Sequence, residues 1–353
     1  MDRVQLEDLL ASVVRSGGTS LHIQPYGVPF VRVGDSIIEC EVEAVTAQVI
    51  ADLMRDFLFE DHRNALQAGE DVEILYTTAA GERFRATVMR QCRGLGAVFR
   101  RLPTQVPSFE ELGLPPGLSS LTGFQRGLVV LTGFVGSGKS TTLAALVQRM
   151  NEEGAFHIAT IEQPIEFVHR SEKCLIHQRE VGMHVQSIAR GVRDAYRQGA
   201  EVIVVDGLED YDALQEAFRA VERGCFVFAT MSSSNVVGAI TDLARIAPAD
   251  DRKAVLARLA CLLRGVAAQS LINRLHGHTR IPVFEIMIRT EAIANAIRTG
   301  DFGVIPELIA RGRGLGMQTN DQALRALLSH NVIAPEVAAY HAVDRDAVVP
   351  CHH

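Results

Sequence analysis

Apolar residues follow two different rhythms along this chain. Near the start, Val4, Leu6, Leu9, Leu10 and Val13 recur at helical spacing over residues 2–15 and stop at Gly17-Gly18, which predicts one helix. Short runs of strand character follow at Ser20–Gln24, Pro29–Val33, Val72–Thr77 and Arg83–Met89, with a helical segment from Ala47 to Gln67 among them. That mixture predicts a small α+β domain over residues 1–102. Residues 103–123 carry Pro103, Pro107, Pro115 and Pro116 with weak periodicity, the composition of a linker. From 124 to 353 the rhythm changes. Largely apolar runs at Leu128–Thr132, Phe156–Ile161, Val202–Asp206 and Cys225–Thr230 alternate with helical segments at Thr141–Met150, Val185–Gln198 and Tyr211–Arg223. Strands apolar on both faces, separated by helices, predict a parallel sheet covered on both sides. From Ala239 onward the pattern reads as mostly helical, with one strand at Arg280–Ile288.

The candidate chemistry sits where the first of these buried strands ends. Gly133-Phe134-Val135-Gly136-Ser137-Gly138-Lys139-Ser140 lies between that strand and the helix predicted from Thr141. G-x-x-x-x-G-K-S in this context is the phosphate-binding loop. Gly133, Gly136 and Gly138 let the backbone bend so that its N–H groups, Ser137 among them, face a phosphate. The helix opening at Thr141 adds the positive end of its dipole. Lys139 has the reach for the β- and γ-phosphates, and the Ser140 hydroxyl is a ligand for Mg²⁺. The expected ligand is a nucleoside triphosphate. Further on, Val202-Ile203-Val204-Val205-Asp206 has the form of a generic Walker B segment, four apolar residues ending in an acid.

Composition narrows the picture only a little. The chain has 353 residues, room for two domains with separate cores, and 47% apolar with 22% charged residues is ordinary for a soluble protein. A net charge of −7 argues against nucleic-acid binding by bulk charge. No apolar run reaches the length of a membrane span, and the acidic start Met1–Asp8 is unlike a signal peptide, so a cytoplasmic location is expected. The six cysteines are scattered without C-x-x-C spacing and read as reduced structural thiols. Cys351-His352-His353 reads as a frayed tail, and His169, His177 and His184 as surface residues.

Several further motifs carry a resemblance. They are Thr160-Ile161-Glu162-Gln163-Pro164-Ile165-Glu166-Phe167-Val168-His169, Lys173 to Val181 (K-C-L-I-H-Q-R-E-V), Phe284-Glu285-Ile286-Met287-Ile288, Ala292 to Arg298 (A-I-A-N-A-I-R) and Leu315-Gly316-Met317-Gln318-Thr319. Together with the phosphate loop they resemble the PilT-type retraction ATPases of type IV pili, within the type II and type IV secretion motors. The similarity runs from about residue 2 to 330, and Gly94–Arg100 matches the end of that family's PAS-like N-terminal domain. The resemblance implies a RecA-like P-loop NTPase domain with a parallel-rich sheet, preceded by a small PAS-like α+β domain. It also implies a homohexamer, ATP and Mg²⁺ as ligands, and work at the inner-membrane base of a pilus, with another pilus motor ATPase as a further partner.

Departures from the family pattern cluster on the catalytic side. The family's T-I-E-D-P-I-E-F has Gln163 for its Asp here; the second Glu, taken as the base that orients the attacking water, is retained as Glu166. L-V-G-E-M-R-D is Val204-Val205-Asp206-Gly207-Leu208-Glu209-Asp210, so the metal-organising Glu has become Gly207. G-T-L-H-T is Ala229-Thr230-Met231-Ser232-Ser233, so the histidine has become Ser232. Losing one preorganised group of this kind typically costs about 10²–10³ in rate. Asp206 offers a carboxylate one residue earlier, as a replacement Mg²⁺ group beside Ser140 or as a cap on the following turn. Against the first role stands the rule that neighbouring residues of a strand face opposite sides. Arg179, Arg193 and Arg197 match family positions and are read either as charge clamps on the triphosphate or as surface ion pairs. In A-I-A-N-A-I-R, Ala294 and Ala296 replace the family's Arg and Leu. The expectation is an ATP-binding pilus retraction subunit with attenuated hydrolysis, the alternative a non-catalytic nucleotide-binding paralogue that regulates or scaffolds an active motor.

Overall fold

Leu6, Leu9, Leu10 and Val13 form the buried stripe of α1 (Leu6–Arg15), as their spacing predicts. In the computed structural model, residues 5–34, 36–55, 57–103, 105–276 and 279–349 are described; the terminal Cys351-His352-His353 lies outside them. The chain divides into two units, Met1–Gln105 and Val106–His353.

In the first unit, strands β1 (Ser20–Ile23), β2 (Phe30–Val33) and β3 (Ser36–Glu39) precede helices α2 (Ala47–Arg55) and α3 (Glu60–Ala68), and β4 (Val72–Thr77), β5 (Arg83–Gln91) and β6 (Gly94–Leu102) follow. The strands form one antiparallel sheet in the order β3-β2-β1-β6-β5-β4. Alternation supplies its core: Leu21, Ile23, Val31, Phe84, Ala86, Val88, Ala97 and Phe99 share a cluster with Leu10, Val13, Ile50 and Met54 of the helices. The single helix expected over 47–67 is two helices, because the successive apolar residues Phe57, Leu58 and Phe59 break the 3.6-residue period and Leu58 turns into the core.

The second unit holds α4 (Pro116–Thr122), β7 (Gly127–Thr132), α5 (Lys139–Glu153), β8 (His157–Glu162), β9 (Leu175–Glu180), α6 (Ile188–Arg197), β10 (Val202–Val205), α7 (Tyr211–Glu222), β11 (Phe226–Met231), α8 (Val236–Arg245), α9 (Arg252–Leu262), β12 (Leu263–Asn273), β13 (Arg280–Ile288), α10 (Glu291–Thr299), α11 (Ile305–Arg311), α12 (Asn320–Ser329), α13 (Pro335–His341) and α14 (Arg345–Val348). Its sheet has seven strands in the order β13-β12-β7-β11-β10-β8-β9, parallel except for β13. β12 departs from the helical expectation after Ala239. Its Ala267-Ala268 centre carries no strand propensity, and pairing with β7 on one side and β13 on the other decides its state. The proline-rich stretch is also more structured than a linker: Phe109, Leu114, Leu118 and Leu121 are buried in the second unit.

Two cores flank this sheet, and strand alternation assigns residues to them. Leu128, Val130, Ala159, Ile161, Ile203, Val205, Val227 and Ala229 face α6, α7 and α8. Val129, Leu131, Ile158, Val202, Val204, Phe226 and Phe228 face the side of α5, with its Leu143, Leu146 and Val147. Counting on by two along β8, β10 and β11 places Glu162, Asp206 and Thr230 on the α5 side, at the ends where the strands run out. Ligands of open α/β sheets bind outside those carboxyl ends.

Candidate functional site

The loop between β7 and α5 is built by its glycines. Gly133, Gly136 and Gly138 have φ of +150°, +81° and +87°, values that favour glycine. At Gly133 space excludes a side chain as well, since a Cβ would lie 2.3 Å from the Gln269 carbonyl oxygen and 2.6 Å from Ser137 Oγ. Gly138 caps α5, so Lys139, Ser140 and Thr141 occupy its first turn with the backbone N–H groups that a helix start leaves unpaired. The Lys139 ammonium donates to the carbonyl oxygens of Gly133 at 2.7 Å and Phe134 at 3.1 Å, folding back over its own loop. Burial lowers its pKa, and the charges of Asp206 and Glu209 oppose that shift. Ser137 Oγ is buried with no hydrogen-bond partner. An N–H-lined cradle, a lysine resting on loop carbonyls and an orphaned hydroxyl fit a polyphosphate.

A narrow crevice runs alongside α5. Ser140, Ala144, Thr160, Glu162, Glu166, His169 and Asp206 are among the residues that line it, so three acidic residues and the loop serine border one crevice. Glu162 ends β8 at this crevice and is half-buried. Burial pushes its pKa up to about 7, while hydrogen bonds donated by Thr160 Oγ1 (2.5 Å) and Gln178 Nε2 (3.0 Å) favour the carboxylate and the charges of Asp206 and Glu166 oppose it. Gln178 also donates to the Phe167 carbonyl and accepts the His169 N–H, and Glu180 accepts the Ile165 N–H. In this way β9 holds the loop that carries Glu166. These oxygen donors suit Mg²⁺, which is bound by one or two protein oxygens plus phosphates and water. Among the described residues no group of three or more His, Cys, Asp or Glu is placed to hold a metal ion by itself, so phosphate and water oxygens would have to complete the shell.

Asp206 follows β10, and its N–H donates to the Ile161 carbonyl at 2.9 Å, which extends the strand pairing by one residue. The alternation invoked against Asp206 therefore works in its favour: it is in phase with Val204, and both line the crevice. The next residue is different. Gly207 has φ +94°, and the following helix α7 is capped by Asp210, whose Oδ1 accepts the Ala213 N–H at 2.8 Å. A glutamate at 207 would therefore need a backbone conformation that L side chains resist.

The remaining residues singled out by sequence are placed elsewhere. Arg179 donates to the His184 carbonyl and pairs with Asp194 at 3.5 Å. Arg193 donates twice to Glu216 Oε1, at 3.1 and 2.7 Å; this carboxylate is only 2% exposed and also takes bonds from Arg219 and from Tyr196. Arg197 is exposed in the last turn of α6. None of the three arginines is among the crevice-lining residues. Gln163 and Ser232 are exposed, as are His177 and His184. His169 is half-buried rather than fully at the surface, and burial beside the crevice lowers its pKa to about 4, so its ring is neutral near pH 7. Ala294 is fully buried in α10, where an arginine would have to leave the core, whereas Asn295 and Arg298 face outward. Sequence reading missed Thr230, which donates to Asp206 Oδ1; the alternation of β11 against β10 was the signal that could have found it.

Fold and site together define an α/β P-loop protein with a phosphate cradle beside a carboxylate-lined crevice. Residues 8–308 match the family model described as Type II/IV secretion system protein. The chain is 34% identical to the type IV pilus retractation ATPase PilT of Pseudomonas aeruginosa, covering 95% of this chain and 97% of that one. It is 30% identical to the type IV pilus ATPase PilU of the same organism, over 96% and 89% of the two chains. A crystal structure of the pilus retraction motor PilT with bound ADP superposes with a TM-score of 0.89 at 30% identity, covering 97% of this chain and 98% of that one. The chain belongs to the type II/IV secretion system protein family, and within it resembles the PilT-type members over nearly its whole length.

Proposed function

We propose that this chain is an ATP-binding subunit of a type IV pilus retraction motor, a homohexamer that hydrolyses ATP with Mg²⁺ at an attenuated rate. The observation that carries the reading is the crevice in which Ser140 of the phosphate loop meets Glu162, Glu166 and Asp206. Loop N–H groups and Gly133–Thr141 bind the phosphates, and Lys139 exchanges its loop carbonyls for β- and γ-phosphate oxygens. Ser140 and Asp206 hold Mg²⁺, which supplies charge for the phosphoryl oxygens. Glu166 orients the attacking water and accepts its proton. Attenuation follows from Ser232, which brings no imidazole to its position, and from an acid at Asp206 standing in for one at 207. With no helix among the described residues long and apolar enough to cross a membrane, the proposed location is the cytoplasm, at the inner-membrane pilus base.

The exposed, uncharged Ser232 and the glycine at 207 favour a second reading, a nucleotide-binding paralogue that regulates or scaffolds an active pilus motor. Steady-state ATP hydrolysis by the purified protein with Mg²⁺ separates the two, with Glu166→Gln as control. Turnover that drops by about 10²-fold or more in the variant supports the motor. ATP binding without turnover selects the second reading. Absence of ATP binding removes both.

A further inference from the structure

β10 and β11 run parallel with Val204 opposite Phe228 and Val205 opposite Ala229, so the next pair in register is Asp206 and Thr230. Thr230 is 2% exposed. Its hydroxyl donates to Asp206 Oδ1 at 2.5 Å and accepts the Gly207 N–H at 2.9 Å. The direction of both bonds is fixed. A backbone N–H can only donate, so the hydroxyl oxygen accepts there, and its single proton is directed to the carboxylate. The Thr230 carbonyl takes the Leu208 N–H at 2.7 Å as well. One residue of β11 thus holds three successive residues after β10.

Buried hydrogen bonds of this kind set the direction of a metal-ligating carboxylate, much as partners behind a ligating histidine fix its ring. The arrangement also bears on the displaced acid. Gly207 keeps φ +94°, and its N–H is anchored on the same hydroxyl that anchors Asp206. Resting on the reading that Asp206 serves the nucleotide's Mg²⁺, we propose that Thr230 is the positioning residue that makes Asp206 the working acid in place of the residue at 207. It joins β11, which leads into Ser232, directly to the metal-side carboxylate. That link passes through a neutral hydroxyl, and it is independent of the missing histidine.

The test measures the affinity of the full chain for a fluorescent ATP analogue, in Mg²⁺ and in EDTA. Thr230→Val keeps the volume and removes the proton. It should lose about 10–100-fold of the Mg²⁺-dependent gain in affinity and keep the affinity in EDTA. Thr230→Ser should retain the gain. Combining Thr230→Val with Asp206→Asn should weaken binding no further than Asp206→Asn alone, because both changes remove one interaction. Thr230→Ala gives the same comparison where valine impairs folding. A full Mg²⁺-dependent gain in Thr230→Val or Thr230→Ala overturns the proposal, as do effects that multiply in the double variant. In either case binding that still depends on Lys139 leaves the functional reading standing. A wild-type protein that binds no nucleotide in either condition overturns both.

Discussion

The two sides of the crevice were assembled differently. On the phosphate side everything comes from one contiguous loop, with three left-handed glycines and a lysine folded onto the Gly133 and Phe134 carbonyls. On the acid side, Glu162 and Glu166 come from one segment and Asp206 from another forty residues on, and Thr160, Gln178, Glu180 and Thr230 on three strands hold these acids and the loop between them. The loop matches the G-x-x-x-x-G-K-S pattern in full, whereas on the acid side the resemblance implies a Glu and a His where this chain has Gly207 and Ser232, and we propose Asp206 as the acid. A backbone cradle binds by its path, which any substitution at its glycines would disturb. Side-chain groups at strand ends depend instead on the partners behind them, as Asp206 does on Thr230.

Removing Lys139 should break this contrast most severely. Lys139→Ala takes away the only lysine of the phosphate loop, and titration with ATP should show binding fall below detection. Unchanged affinity would mean that the intact-looking loop is not the ligand site. Gly207→Glu sharpens the comparison from the other side. Restoring the family's acid at φ +94° should cost about 1–2 kcal/mol of stability, read as a lower melting temperature, with no gain in turnover. A faster enzyme of undiminished stability would show that the acid has not moved.

A smaller effect is expected from Glu162. Its folded pKa of about 7 lies above the unfolded carboxylate value, so the folded state binds the extra proton between the two. Wild-type stability should therefore lose this contribution as pH rises through that window. Glu162→Gln resembles the protonated form, and its melting temperature should gain on wild type from about pH 5 to about pH 8. A difference that does not change with pH would place the titration elsewhere.

How much of this was legible in the sequence follows the same division. The phosphate loop could be read outright, because one short segment contains both its residues and their geometry. The parallel sheet followed from continuous apolar runs, but β12 did not, since its alanines favour a helix and only its two neighbours make it a strand. Asp206 was visible as a residue, yet its face had to be counted from Val204 on through the strand end. That His169 is half-buried was not legible, because it lies in a loop without periodicity and what covers it comes from other segments. The commitment of Arg193 to Glu216 joins two helices and has no trace in local spacing.

The most direct test of the role proposed for Asp206 is ATP turnover of Asp206→Asn against wild type across a Mg²⁺ titration. Turnover should fall by about 10²–10³-fold at saturating ATP, with more Mg²⁺ needed for what remains. A variant that hydrolyses ATP at the wild-type rate, with the same Mg²⁺ dependence, would contradict the role given to Asp206.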